Sequence, residues 1–219
     1  MNLLITCGPA WEPLDGMRRL TNASTGRLGA ALADAFATAG HRVTVFRGDM
    51  ATAPLPEAPV ELVPFGTNDE LAGLLYGWSK RLPVHAIFHT AALCDFKPAS
   101  VRSADGSLLA SRKLSSRSGR LIVELEPATK VLPSLREWFP SARLVGWKYE
   151  LDGNRDDALA AAWRQIRDAS TDACVVNGAA WGPGFGLCEP PASVLPCADA
   201  ADLAGALKGW LDRLPISRP

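Results

Sequence analysis

Short apolar runs bounded by turn residues alternate along this chain with amphipathic stretches of helical period, and that alternation is what most restricts the fold. The apolar runs at 3–6, 42–46, 60–64, 84–90, 143–147 and 173–177 read as strands covered on both faces, since a half-exposed strand would alternate apolar with polar residues. Helical stretches fall between them: 25–39, stopped by Gly40; one opening on the capping-box pattern Thr67-Asn68-Asp69-Glu70; 156–169; and 199–214. Strands joined by crossover helices make a parallel sheet. A chain of 219 residues, close to half apolar, buries one substantial core and reads as a single unit, 1–219.

Two polar, irregular segments interrupt this rhythm and read as functional loops. One spans 7–23. The other spans 96–119 and runs into an alternating stretch at 120–126, the pattern of a flap lying over a site. The Pro-rich stretch 54–59 reads as a surface connection. Twenty-three basic side chains balance 23 acidic ones, so no broad field draws the chain to nucleic acid or to an anionic membrane, and any anionic ligand is met locally. The five cysteines, Cys7, Cys94, Cys174, Cys188 and Cys197, are odd in number and form no CxxC pair, which argues against a disulfide framework or a zinc site and for a reducing cytoplasm. No apolar run approaches membrane-spanning length, and the apolar start lacks the basic region of a signal peptide.

Ligands of an open parallel sheet gather where the strands end, so the loops after the first, fourth, fifth and sixth strands carry most weight. After the first, residues 22–29 set small hydroxyl and glycine residues at a helix start. Unpaired amides and the helix dipole there favour phosphate. An ordinary Ser/Thr cap with glycines for close packing explains the same residues, and this segment alone leaves the two readings level.

Several blocks together form one recognisable family pattern. Its opening signature, a glycine turn, Glu-Pro-x-Asp, Arg and Ser-Asn-x-Ser-Ser-Gly-x-x-Gly, is matched by Gly8, Glu12-Pro13-Leu14-Asp15, Arg18, Thr21-Asn22-Ala23-Ser24-Thr25-Gly26 and Gly29. The block Ala-Ala-x-x-Asp-aromatic-x-Pro appears as Ala91-Ala92-Leu93-Cys94-Asp95-Phe96-Lys97-Pro98. A flap lysine follows in Lys113-Leu114-Ser115-Ser116, then Lys130-Val131-Leu132, Val145-Gly146-Trp147-Lys148-Tyr149-Glu150, Val175-Val176-Asn177 and Gly184-Phe185-Gly186. In these blocks the chain resembles the phosphopantothenate–cysteine ligase family, and the resemblance covers nearly the whole chain. It implies an α/β, Rossmann-like three-layer sandwich with a mostly parallel central sheet and a β-flap insertion at about 96–126. It also implies a stand-alone ligase of coenzyme A biosynthesis that joins 4′-phosphopantothenate to cysteine through an acyl nucleotide, with no covalent enzyme nucleophile.

By the family's pattern Asn22 bonds the activated acyl group, Arg18 holds the pantothenate side, and Lys113 neutralises the triphosphate from the flap. The start Ser24-Thr25-Gly26 binds phosphate. His89, Thr90, Ala91, Lys130 and Trp147 line the nucleotide, Gly8, Asn177 and Phe185 complete its set, and Asp95 meets ribose or metal. Magnesium with ATP or CTP, a homodimer, and no FMN, since the fused flavin-dependent decarboxylase is absent, complete what the resemblance implies. The chain also departs from the pattern. Ala10-Trp11 stands where members often carry Thr-Arg, so that arginine's contact is absent or supplied by Arg19 or Arg27. Arg112-Lys113-Leu114 thins the Lys-x-Lys-Lys motif of many bacterial members. Basic residues that CTP users place on the helix before Asn177 are missing, with Arg164, Gln165 and Arg167 there in a register the sequence leaves open, which favours ATP.

Rival readings fail on context. Tyr76 and Lys80 fit the Tyr-x-x-x-Lys pair of short-chain dehydrogenases, but they fall before the fourth strand, the glycine fingerprint is missing, and Arg47 replaces the acidic ribose ligand. No P-loop string occurs. A diverged, non-catalytic paralogue that binds nucleotide or a decarboxylase partner is the stronger rival. Asn22, Asp95 and Lys113, kept together, argue against it.

Overall fold

The computed structural model describes residues 1–109, 113–115 and 119–213. Arg112 and Ser116 of the flap motif, and residue 214 at the expected end of the last helix, lie outside the described residues. The elements are β1 (Asn2–Cys7), β2 (Trp11–Pro13), β3 (Arg19–Thr21), α1 (Arg27–Thr38), β4 (Arg42–Gly48), β5 (Glu61–Phe65), α2 (Asn68–Trp78), β6 (Ala86–His89), β7 (Phe96–Ser103) and β8 (Leu121–Pro127). After a short 3-10 turn come α3 (Leu135–Trp138), β9 (Arg143–Tyr149), α4 (Arg155–Ala169), β10 (Ala173–Asn177), β11 (Phe185–Glu189), β12 (Ser193–Cys197) and α5 (Ala200–Asp212).

An eight-stranded sheet runs β12-β11-β10-β9-β6-β1-β4-β5. The strands from β10 to β5 are parallel, while β11 and β12 turn back antiparallel. All six expected strands are present in this parallel set. The β11–β12 pair escapes the apolar-run criterion because β12 is an edge strand, mostly exposed and carrying Pro196, as edges allow. Helices α1 and α5 cover one face over Leu3, Ile5, Phe88 and Val145, and α2, α3 and α4 cover the other over Leu4, Ile87, Leu144 and Val176. This is the expected three-layer sandwich. Among the described residues no helix is long and apolar enough to cross a membrane.

Helix boundaries follow local chemistry. Gly40 adopts φ +85°, ending α1 through the left-handed region. The capping box of α2 forms as expected, with the Thr67 hydroxyl accepting from the Glu70 amide and the Glu70 carboxylate accepting from Thr67. Tyr76 is exposed near the end of α2 and Lys80 lies two residues past that helix, its ammonium 3.8 Å from the Tyr76 ring centroid on the protein surface. The segment expected as an irregular loop from residue 96 instead begins as β7, which pairs with β8 in a two-stranded ribbon. This is the β-flap insertion.

Candidate functional site

Strand order reverses between β1 and β6, and the loops leaving these neighbours open a crevice at the carboxyl edge. Gly8 closes β1 with φ +79°, and Gly26 precedes α1 with φ +77°. A Cβ on Gly8 would lie 2.7 Å from the Ala51 Cβ, and one on Gly26 only 3.2 Å from the Gly8 Cα, so the turn closes only because both are glycine. No side chain caps α1 and no acid occupies its first turn; the Thr25 hydroxyl reaches the Arg27 amide at a long 3.3 Å. The helix start therefore presents its amides without a competing carboxylate, which favours the phosphate reading over the cap.

Across the edge, on the α2–α4 face, lies a cavity of about 350 Å³. Of the candidate nucleotide residues, His89, Ala91, Asp95, Lys130 and Trp147 line it, and Leu132, Lys148 and Gln165 join them. His89 is 6% exposed, and burial pushes its pKa down to about 4, so the ring is neutral. Its Nδ1 lies 2.8 Å from the Thr6 hydroxyl, which already accepts from the Ala91 amide at 3.3 Å. Asp95 and Lys130 form an exposed ion pair at the rim. Buried Asn68 fixes this rim from α2: its amide donates to the carbonyls of Cys94 (2.8 Å) and Thr129 (2.9 Å) and accepts from the Cys94 amide at 3.2 Å.

The β2–β3 hairpin follows the loop out of β1, with the Trp11 amide bonded to the Gly66 carbonyl at 3.0 Å. Thr21 anchors its return through a 2.7 Å bond to the Ala10 carbonyl, and Asn22, next in sequence, donates to the Leu93 carbonyl at 2.7 Å. Asn22 is thereby held between the α1 start and the cavity. Trp11 bonds Asp49 at 2.8 Å, and Arg19 stacks 3.8 Å from the Trp11 ring while pairing with Asp49 at 3.7 Å. At the hairpin tip the Asp15 carboxylate accepts from the amides of Leu114, Met17 and Arg18 and from the Arg18 guanidinium, and those bonds hold its pKa down to about 2.

Residues 1–200 match the family model described as the DNA/pantothenate metabolism flavoprotein C-terminal domain. The chain belongs to this family. It is 30% identical over 176 residues to the coenzyme A biosynthesis bifunctional protein CoaBC of Thermococcus kodakarensis, covering 80% of this chain and 40% of that protein. The Bacillus subtilis CoaBC is 28% identical over 186 residues, 84% of this chain and 42% of the relative. The chain thus spans about two-fifths of the length of these relatives. Among solved structures, a DNA/pantothenate metabolism flavoprotein from Streptococcus pneumoniae superposes with a TM-score of 0.84 at 20% identity, covering 97% of this chain and 98% of that one. A Cab2 mutant in complex with phosphopantothenate-cysteine gives 0.75 at 19% identity, covering 97% and 86%. At such identities these likenesses bear on the fold, and they agree with the sandwich described above.

Within this flavoprotein C-terminal domain the candidate residues share one edge but not one face. Trp147 borders the cavity, yet its ring packs with Phe185 and Leu28 against the core under α1 and α5. Its indole N–H is buried with no partner among the described residues. Asn177 ends β10 on that same face, two residues beyond Val175. Thr90 bonds the Thr6 carbonyl at 2.8 Å and backs Gly29, where a Cβ would lie 2.9 Å from its hydroxyl. Ser24 and Thr25 flank the α1 start, and Arg18 turns to Asp15 and to the Leu114 carbonyl. Gln165 was left unplaced by the sequence. It shares the sheet-facing side of α4 with Ala158, Ala161, Ala162 and Ala169, and a polar residue on that small apolar stripe was the available signal. Arg164 and Arg167 face solvent.

Proposed function

We propose that this domain is a phosphopantothenate–cysteine ligase that activates a carboxylate with a nucleoside triphosphate. Asn22 carries the reading: fixed by the Leu93 carbonyl, it stands between a helix start suited to phosphate and a cavity of nucleotide-compatible size. In the first step a carboxylate oxygen of 4′-phosphopantothenate attacks the α-phosphorus, and the bond to pyrophosphate breaks. In the second the cysteine amine attacks the acyl carbon, loses a proton and expels the nucleoside monophosphate. Asn22 is placed to bond the acyl oxygen as charge develops, Lys113 serves the departing pyrophosphate, and Ser24, Thr25 and Gly26 seat phosphate. Gly8 lets the turn beside them close against Ala51, while His89 and Lys130 meet the nucleotide within the cavity.

The chemistry requires no enzyme nucleophile, in keeping with the side chains present. All five cysteines are buried and reduced, and burial raises each thiol pKa. The Thr6 hydroxyl pairs with an imidazole but is 0% exposed, out of reach of any carbonyl. Among the described residues no three His, Cys, Asp or Glu gather around a metal position. That donor set fits magnesium carried by the triphosphate, with Asp95 its candidate protein ligand; the ion would neutralise phosphate charge. Gln165 rather than an arginine faces the cavity from α4, in keeping with ATP over CTP.

The proposed enzyme works in the cytoplasm as a homodimer. Phe96, Leu108, Ile122 and Leu125, each roughly half exposed on and beside the β7–β8 ribbon, supply apolar surface for a second copy. Light scattering tests that state. Pyrophosphate release with 4′-phosphopantothenate, cysteine and magnesium, using ATP and CTP in parallel and omitting each substrate in turn, tests the reaction. Release that needs every component, with phosphopantothenoylcysteine seen by mass spectrometry, supports the ligase. No release from folded, nucleotide-binding protein would instead favour the non-catalytic paralogue.

A further inference from the structure

Asp15 sits at the tip of an exposed turn, yet its carboxylate is 1% exposed. A turn of this kind needs one oxygen, and Oδ1 fills that need by accepting from the amides of Met17 (2.8 Å) and Arg18 (2.7 Å). The other oxygen does something the turn does not require. Oδ2 accepts from the Leu114 amide at 3.0 Å and from the Arg18 guanidinium at 2.5 Å, and that same guanidinium nitrogen donates to the Leu114 carbonyl at 3.1 Å. A flap residue 99 positions away is thus gripped at both its N–H and its C=O by two side chains that are themselves paired. Leu114 is 3% exposed although Lys113 and Ser115 on either side are exposed, so the flap is pinned at this residue by main chain and side chain together.

We infer that Asp15 and Arg18 form a latch that closes the flap and positions Lys113, the residue adjoining the pinned peptide, over the crevice. The inference rests on the role proposed above for Lys113. It gives both hairpin residues a positioning task, acting through Leu114 rather than on substrate. Asp15→Asn separates the two uses of the carboxylate. The amide oxygen still serves Met17 and Arg18, while the new NH2 faces the Leu114 N–H and the guanidinium, donor against donor.

Amide hydrogen exchange on the intact chain reads the latch directly. Asp15→Asn should speed exchange at Leu114 by at least roughly tenfold with the thermal midpoint little changed, as expected where a local opening becomes easier. Unchanged exchange would overturn the latch whether or not the protein ligates anything. Turnover reads the positioning. Asp15→Asn should lower kcat roughly 10- to 100-fold, the scale of a misplaced catalytic group. Adding Lys113→Ala to it should cost little more than Lys113→Ala alone, whereas losses that multiply independently would overturn the positioning role. A wild type that shows no ligation sinks the enzymatic reading and leaves the exchange result to decide the latch. Should Asp15→Asn not fold, Arg18→Met, which removes the grip on the Leu114 carbonyl, carries the same exchange prediction.

Discussion

Replacing Gly146 with alanine separates the stability of the domain from the shape of its cavity. A Cβ on this β9 residue would lie 2.3 Å from Gln165 Oε1 and 3.2 Å from Leu132 Cδ2, both from cavity-lining side chains. The backbone needs no glycine here, since Gly146 is not among the positive-φ positions. The conflict therefore falls on the end of a flexible glutamine. Gln165 must swing off β9, giving up its 3.0 Å bond to the Trp147 carbonyl and its 3.1 Å contact with Cys174 Sγ. The lost hydrogen bond costs about 0.5–1.5 kcal/mol. The buried methyl offsets about 0.8 kcal/mol of that, and removing a glycine from the unfolded chain offsets about 0.4–1 kcal/mol more. Net stability should stay within about 1 kcal/mol, a midpoint change of no more than about 4 °C for a chain of this size. The displaced amide moves into the cavity, and nucleotide Kd should rise about tenfold, equivalent to about 1.4 kcal/mol. Scanning calorimetry and titration calorimetry with ATP check the two halves. A variant that binds ATP as tightly as wild type refutes the placement of the nucleotide in this cavity, and a midpoint drop beyond about 10 °C refutes the argument that Gln165 can move.

Other substitutions test the remaining parts. Asn22→Ala, on an exposed side chain with one hydrogen bond to Leu93, should leave the midpoint within about 4 °C of wild type and cut pyrophosphate release at least roughly 100-fold. Lys113→Ala should raise the KM for the triphosphate and lower turnover in the same assay. Asn68→Ala strips partners from the buried Cys94 and Thr129 groups and should cost about 2–4 kcal/mol, read by urea denaturation. His89, with a folded pKa of about 4 against 6.5, favours the folded state fully above pH 6.5, and this contribution is lost as pH falls from there towards 4. The loss totals about 3 kcal/mol. His41, also lowered by burial, acts in the same direction, so the difference between wild type and His89→Gln over pH 4–6.5 isolates His89. Identical pH profiles would refute a buried, neutral His89.

The parallel sheet was legible because its strands are buried on both faces and so appear as unbroken apolar runs, and the α2 start because Thr67 and Glu70 satisfy one another locally. The same burial hid which way individual residues point. Leu144 and Val145 are equally apolar, so nothing in β9 told that one faces α2 and α3 and the other α1 and α5. The direction of the Trp147 ring, two residues beyond Val145, was hidden with it. The grip of Asp15 on Leu114 was illegible for another reason: its partners are 99 positions apart, and one of them is a peptide group that any residue would supply.

Once the faces are known, the relation between the first and second motif blocks becomes clear. The amides of α1 lie on one side of the sheet and the cavity with His89 on the other, so a ligand that uses both must cross the edge between β1 and β6. There the two chains continue past the sheet through Ala92 N–H to the Gly8 carbonyl and Ala10 N–H to the Ala92 carbonyl, both at 3.0 Å. Ala91 and Ala92 keep that edge low, Gly8 lets the chain turn close against Ala51 beside it, and Asn22 is tied to it through Leu93. Gly8, Ala92 and Asn22, which read in the sequence as separate blocks, thus meet at one edge of the sheet.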